Sequence, residues 1–223
     1  MRSLLARFPR AGFASLAAGV LSAALLSFGS GAVDKPAAPA PDPRPLQGVA
    51  SFQSVSDKAE RSRALFTEAA KVITDPRCMN CHPSANRVPT QGDDMHPHVP
   101  FINAGDSGIG SGGLSCGACH RADNTTLAGA RLIKSIPGAN PWLLAPHSMG
   151  WQGLTLGEIC GQLKDPGRNG GRTLSDIRRH MSEDHLVGWA WHPGEGRRPA
   201  PGTQQAFGAL ISAWIETGAE CPS

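Results

Sequence analysis

Two segments of this chain pair cysteines with a histidine at a fixed spacing: Cys78-Met79-Asn80-Cys81-His82 and Cys116-Gly117-Ala118-Cys119-His120. Two thiols one helical turn apart can add across the two vinyl groups of a porphyrin, and the next residue then presents an imidazole to the iron as proximal ligand. With six Cys and eight His in 223 residues, composition alone gives roughly 0.006 occurrences of the pattern per chain, so two are not accidental. Paired Cys-x-x-Cys elements also hold structural zinc, but the 34 residues between Cys81 and Cys116 exceed the usual spacing. A redox-active dithiol uses Cys-x-x-Cys too, with no reason for His after the second Cys in both copies. The expectation is two covalent haem c groups, attached at Cys78 and Cys81 and at Cys116 and Cys119, with His82 and His120 as proximal ligands.

Each iron has a second axial position. The side chains able to fill it are Met95, His96, His98, His147, Met149, His180, Met181, His185 and His192. His98 lies in the stretch joining the two motifs and is free to fold over a haem. His180 shares a helix side with Ile177 and Asp184, so a carboxylate can orient its second nitrogen. Met149 follows Pro146 in an irregular loop, and Met ligation raises a haem's potential relative to a second His. The remaining pair, Cys160 and Cys221, is expected to close as a disulfide in an oxidising compartment; the alternative is that one of them is a thiolate ligand to haem iron.

The elements that must position these residues begin after a leader. Arg2, Arg7 and Arg10, the charge-free stretch 11–28, and Ser30-Gly31-Ala32 read as a signal peptide over 1–32, cleaved after Ala32. An uncleaved anchor is the alternative, since about 18 apolar residues is the lower edge of a span. After cleavage no membrane span is expected. The chain carries 21 Lys and Arg against 18 Asp and Glu; the three leader arginines account for the excess, and nucleic acid is not an expected partner. The location implied is the periplasm.

Residues 33–55, with five Pro between Pro36 and Pro45, read as a stiff Pro/Ala-rich tether. Residues 56–223 then form one mainly α di-haem domain with long irregular loops wrapping the haems and little or no β. Helices are expected over 57–74 with Ser56 as N-cap and Pro76 closing it, over 125–135, from a Thr155/Glu158 capping box to Lys164, from Thr173/Asp176 to about Asp184, and over 204–217. Residues 82–115, rich in Pro and Gly, read as a loop of a length that needs something to wrap. Tyr is absent, and 27 Gly with 19 Pro leave little apolar material for a dense core, which two porphyrins would supply. Trp142, Trp189 and Trp191 are expected around the haem edges. The turn 194–202, with Arg197 and Arg198, reads as a surface turn, a docking patch or a clamp for propionates.

One resemblance adds to this reading. Leu144-Ala145-Pro146 through Met149, Glu158-Ile159-Cys160-Gly161-Gln162-Leu163-Lys164-Asp165-Pro166, Asn169-Gly170-Gly171-Arg172, His180 with Asp184, and Trp189-Ala190-Trp191-His192-Pro193-Gly194 carry it, with Gln91-Gly92-Asp93-Asp94 and Cys221-Pro222. Over residues 62–223 the chain resembles a family of bacterial di-haem cytochromes often labelled "isoquinoline 1-oxidoreductase subunit", after an association with periplasmic molybdenum hydroxylases. The resemblance implies distal ligands among His98, Met149 and His180. It also implies electron transfer from a periplasmic dehydrogenase or molybdenum hydroxylase to a downstream cytochrome or oxidase; isoquinoline chemistry itself would reside on another subunit. The rival readings are a small haem oxidoreductase, of peroxidase or thiosulfate-dehydrogenase type, and a haem-based gas sensor. Both need an iron with an open or labile position.

Overall fold

The computed structural model describes residues 44–223 except 85, 87, 112, 128–130, 137 and 139–141. The expected leader and the first part of the tether, 33–43, lie outside the described residues. The rest of the expected tether belongs to the domain. Arg44 pairs with Asp75 at 2.7 Å, Gln47 N donates to Glu68 Oε1 at 2.8 Å, and Leu46, Val49 and Phe52 rest against the core. Three apolar side chains within seven residues give 44–55 a surface to bury, which the Pro/Ala run before it lacks.

Helix α1 (Lys58–Ile73) starts at Asp57, whose side chain accepts from Glu60 N, one residue later than the Ser56 cap expected. Pro76 does not simply end it. Asp75 caps a second, short helix, α2 (Pro76–Met79), in which the proline takes the first turn, where its missing N–H costs nothing. The loop between the motifs carries two small antiparallel pairs, β1 (Thr90–Gln91) with β2 (His96–Pro97) and β3 (Gly110–Ser111) with β4 (Leu114–Ser115). A third pair, β5 (Thr125–Leu127) with β6 (Arg131–Ile133), corrects the helix expected over 125–135. Thr125, Thr126 and Ile133 are β-branched and lose side-chain freedom in a helix, while a pleated pair accommodates them.

The second half is helical: α3 (Leu156–Lys164), α4 (Leu174–Glu183), α5 (His185–Gly188) and α6 (Gln204–Glu216). Both expected capping boxes form. Thr155 Oγ1 accepts from Glu158 N while the Glu158 carboxylate accepts from Thr155 N, and Thr173 and Asp176 repeat the exchange. The fold is mainly α, with the strands confined to three separate two-stranded pairs among the described residues.

Helix α6 packs against both α1 and α4. Leu65, Phe66, Val72 and Ile73 of α1 meet Phe207, Leu210, Ile211 and Trp214 of α6, all with at most 1% exposure; burying such a side chain contributes about 1.5–3 kcal/mol. Phe66 and Trp214 stand 5.0 Å apart between ring centroids. Buried Ser62 donates to Trp214 O at 3.1 Å and accepts from Glu220 N at 2.9 Å, so its hydroxyl is satisfied inside the core. Where α4 crosses α6, Gly208 permits the contact: a Cβ there would lie 2.4 Å from Ser182 Cβ. Cys160 of α3 is bonded to Cys221, and Lys164 Nζ donates to Ala219 O at 2.7 Å, so the C-terminal tail is held to α3. No helix among the described residues is long and apolar enough to cross a membrane.

Candidate functional site

The first motif grows out of α2. Its turn continues past the helix end, with Cys81 N donating to Cys78 O at 3.0 Å and His82 N to the same oxygen at 3.1 Å. Cys78, Cys81 and His82 line one cleft. The following loop is stitched along the motif: Ala145 N donates to Cys81 O at 2.9 Å, and Trp151 N and Gln152 N donate to His82 O at 3.1 and 3.3 Å. The Trp151 indole stacks on the His82 imidazole at 3.5 Å, the planes 8° apart. His82 Nδ1 lies 2.6 Å from Met149 O. A carbonyl oxygen only accepts, so Nδ1 carries the proton and Nε2 the lone pair. Gly150 allows this loop so close, since a Cβ there would meet Pro83 O at 2.6 Å.

Helix α4 brings His180, Ile177 and Met181 to the same cleft. His180 Nδ1 donates to Asp184 Oδ2 at 2.9 Å, the i, i+4 pairing expected from the sequence. Burial pushes the Asp184 carboxyl up, but hydrogen bonds from Leu186 N and His180 outweigh it and hold the group below the ordinary carboxylate range. Met149 also lines the cleft and is buried, yet its carbonyl is already engaged at the edge of the His82 ring.

The second motif repeats the local design. The β3–β4 pair leads into a 3-10 turn, Cys116–Ala118, and His120 N donates to Cys116 O at 2.9 Å. His120 Nδ1 donates to Lys134 O at 2.8 Å, and its ring stacks on Trp142 at 4.3 Å and 16°. His98, just past β2, is anchored through its own N–H to Pro89 O at 2.9 Å, and its Nδ1 donates to Pro100 O at 2.9 Å. The rings of His98 and His120 are 5.9 Å apart between centroids, at 58°.

Of the three expected distal candidates, the structure therefore brings His98 to His120, and both His180 and Met149 to the cleft of His82. The other histidines are differently placed. His96 has both ring nitrogens engaged, Nδ1 with Asp94 at 2.6 Å and Nε2 with Gln91 at 3.1 Å. His147, His185 and His192 line neither cleft. The sequence reading missed Trp151, the Lys134 carbonyl and Arg77, which is buried and lines both clefts. Only Arg77, immediately before Cys78, stood next to a recognisable signal.

Thiol electrostatics bear on the first motif. The four motif cysteines are in no disulfide. Burial raises the Cys78 thiol strongly and pushes Cys81 up to about 11, against the opposing charges of Arg77 and Arg197 on Cys81. Exchange chemistry needs a depressed thiol pKa, so a redox dithiol is disfavoured at the first motif. Burial also lowers His120, with the Lys134 carbonyl opposing it; neutral imidazole is the form that binds metal. Cys160 and Cys221 are bonded to each other, which removes the thiolate-ligand alternative for both.

Each cleft offers two imidazoles, the number of axial donors that a haem iron would take. Enclosed volumes are about 210 Å³ for the first cleft and about 80 Å³ for the second, below the roughly 300–1,000 Å³ of ligand pockets. The fit of haem thus rests on the paired imidazoles and, in the first cleft, on Cys78 and Cys81, not on volume; Cys116 and Cys119 do not line the second cleft. The clefts share Arg77, Cys81, Ile136, Leu144 and Trp189 as a common wall. No family profile, no curated protein and no solved structure matches this chain.

Proposed function

We propose that the chain is an exported electron carrier with two covalent c-type haems. One is attached at Cys78 and Cys81 with His82 and His180 as axial ligands, the other at Cys116 and Cys119 with His120 and His98. The observation that carries this reading is that each motif histidine shares a cleft with a second imidazole, and all four rings spend Nδ1 on an oxygen acceptor. Bound haem supplies a one-electron iron couple at each site. The residues of the chain fix the imidazoles: Met149 O, Lys134 O, Pro100 O and the Asp184 carboxylate set tautomer and ring orientation, and Trp151 and Trp142 back the two proximal rings. Ligands held this firmly suit a centre that changes charge without changing coordination.

The common wall supports electron exchange between the two sites. An oxidoreductase or gas-sensor reading requires an open iron position, and the second imidazole in each cleft favours the carrier instead. The disulfide suits an oxidising compartment, and the leader directs the chain to the periplasm. The resemblance supports a periplasmic dehydrogenase or molybdenum hydroxylase as donor and a downstream cytochrome or oxidase as acceptor. A pyridine haemochrome assay and near-infrared magnetic circular dichroism test the proposal. Two haems per chain with two bis-histidine low-spin signals are expected; one haem, bound zinc, or a persistent high-spin signal at neutral pH would overturn it.

A further inference from the structure

The common wall of the two clefts holds a group of cations with too little counter-charge. Arg77 is 5% exposed and lines both clefts. Its Nη2 donates to Asp93 Oδ1 at 2.6 Å and to Gly92 O at 3.1 Å. Its Nε is buried with no hydrogen-bond partner among the described residues, and buried donors are rarely left unmade. Lys134 and Arg197 line the second cleft beside it, together with His98 and His120.

These cations repel one another. Burial first, then the charge of Arg77, holds Arg197 below its ordinary range, with the Asp93 carboxylate opposing. Asp93 is the carboxylate paired with Arg77, and its second oxygen already accepts from Arg198 N at 3.1 Å. Lys134 Nζ donates to the Glu195 main-chain carbonyl, and the carboxylates of Glu195 and Asp93 are the counter-charges near it. Arg197 lies over the Trp189 ring, 5.4 Å from its centroid, which positions the guanidinium without neutralising it. Three cations thus face the two carboxylates of Asp93 and Glu195, and a further carboxylate is the anion that a guanidinium fork binds through paired hydrogen bonds.

We infer that Arg77, Lys134 and Arg197 form a carboxylate-binding cradle for the propionates of the haem held by His98 and His120. This rests on the two-haem reading above. The test uses the full mature protein carrying both haems, with Arg197→Gln, Arg197→Lys and Lys134→Gln variants. Resonance Raman spectra report the propionate bending band, and spectroelectrochemistry reports the two midpoint potentials. Arg197→Gln is expected to move the bending band and to lower one midpoint potential while the other holds, because a nearby cation favours the added electron. Lys134→Gln should lower the same potential, and Arg197→Lys should restore most of it while leaving the band displaced, since an ammonium cannot form the fork. An unmoved band in Arg197→Gln and Lys134→Gln, or an equal fall in both potentials, would overturn the cradle. Fewer than two haems in the unsubstituted protein would instead sink the underlying reading.

Discussion

His98 and His120 both line the second cleft with ring centroids 5.9 Å apart, and each donates Nδ1–H to a backbone carbonyl, Pro100 O and Lys134 O. Each carbonyl holds Nδ1 as the donor and leaves Nε2 as the nitrogen that can meet a metal. His98→Ala should keep two covalent haems, since attachment runs through Cys116 and Cys119. One of the two low-spin signals should turn high-spin, and the reduced protein should bind carbon monoxide. His98→Met should move that signal to the His–Met energy and raise one potential. Two unchanged bis-histidine signals in His98→Ala would remove His98 from the iron.

The first cleft offers two candidates, His180 and Met149. Met149 holds the His82 ring through its carbonyl at 2.6 Å, a contact indifferent to its side chain. With His82 and His180 as the axial pair, Met149→Leu should retain both low-spin signals, while His180→Ala should lose one. Asp184→Asn should keep the ligand but raise that haem's potential, because a neutral acceptor on Nδ1 makes the imidazole a weaker donor to ferric iron. Loss of a signal in Met149→Leu, with His180→Ala silent, would exchange the two assignments.

What could be read in advance divides by sequence distance. The capping boxes at Thr155/Glu158 and Thr173/Asp176 and the His180–Asp184 pair are contacts within one turn, so residue type and spacing specify them. The supports of the proximal rings are not local. Met149 O lies 67 residues from His82, and a main-chain carbonyl has no residue signature; Trp151 stacks on His82 only because the 145–152 segment is laid along the motif. The hairpin at 125–133 was hidden by its brevity, since strands of three residues leave no alternating pattern to detect. Asp57 displaced Ser56 as the α1 cap because both are good caps one residue apart, and choosing between them depends on where the preceding segment packs.

The disulfide should be structural alone. Cys160 and Cys221, 61 residues apart in sequence, line neither cleft. The chain-entropy treatment assigns closure of such a loop about 4 kcal/mol. Replacing both cysteines with Ser should lower the thermal midpoint and leave the Soret and near-infrared signals in place. A changed low-spin signal in that variant would tie the pair to the iron and contradict the bonded geometry.

Gly208 offers a test of how the scaffold positions His180. In isolation, Gly→Ala inside a helix stabilises by about 1 kcal/mol. Here the new Cβ would sit 2.4 Å from Ser182 Cβ and 2.9 Å from its Cα, and a backbone atom cannot swing away. Overpacking of this kind costs about 1–3 kcal/mol, which exceeds the propensity gain, so Gly208→Ala should lower stability in a denaturant titration. The clash falls on α4 two residues after His180 and two before Asp184, so relief by moving that helix shifts the imidazole as well. One of the two low-spin signals should broaden or gain a high-spin fraction, and the signal of the haem facing His98 should stay as it is. Ser182→Gly in the same chain removes the nearer clash and leaves the 2.9 Å approach to Cα, so it should recover part of the spectrum, and not the full stability, because Ser182 Oγ also donates to Arg178 O at 2.8 Å. Equal disturbance of both haem signals by Gly208→Ala would mean that the α4–α6 contact supports the whole domain and not the His180 side of the first cleft.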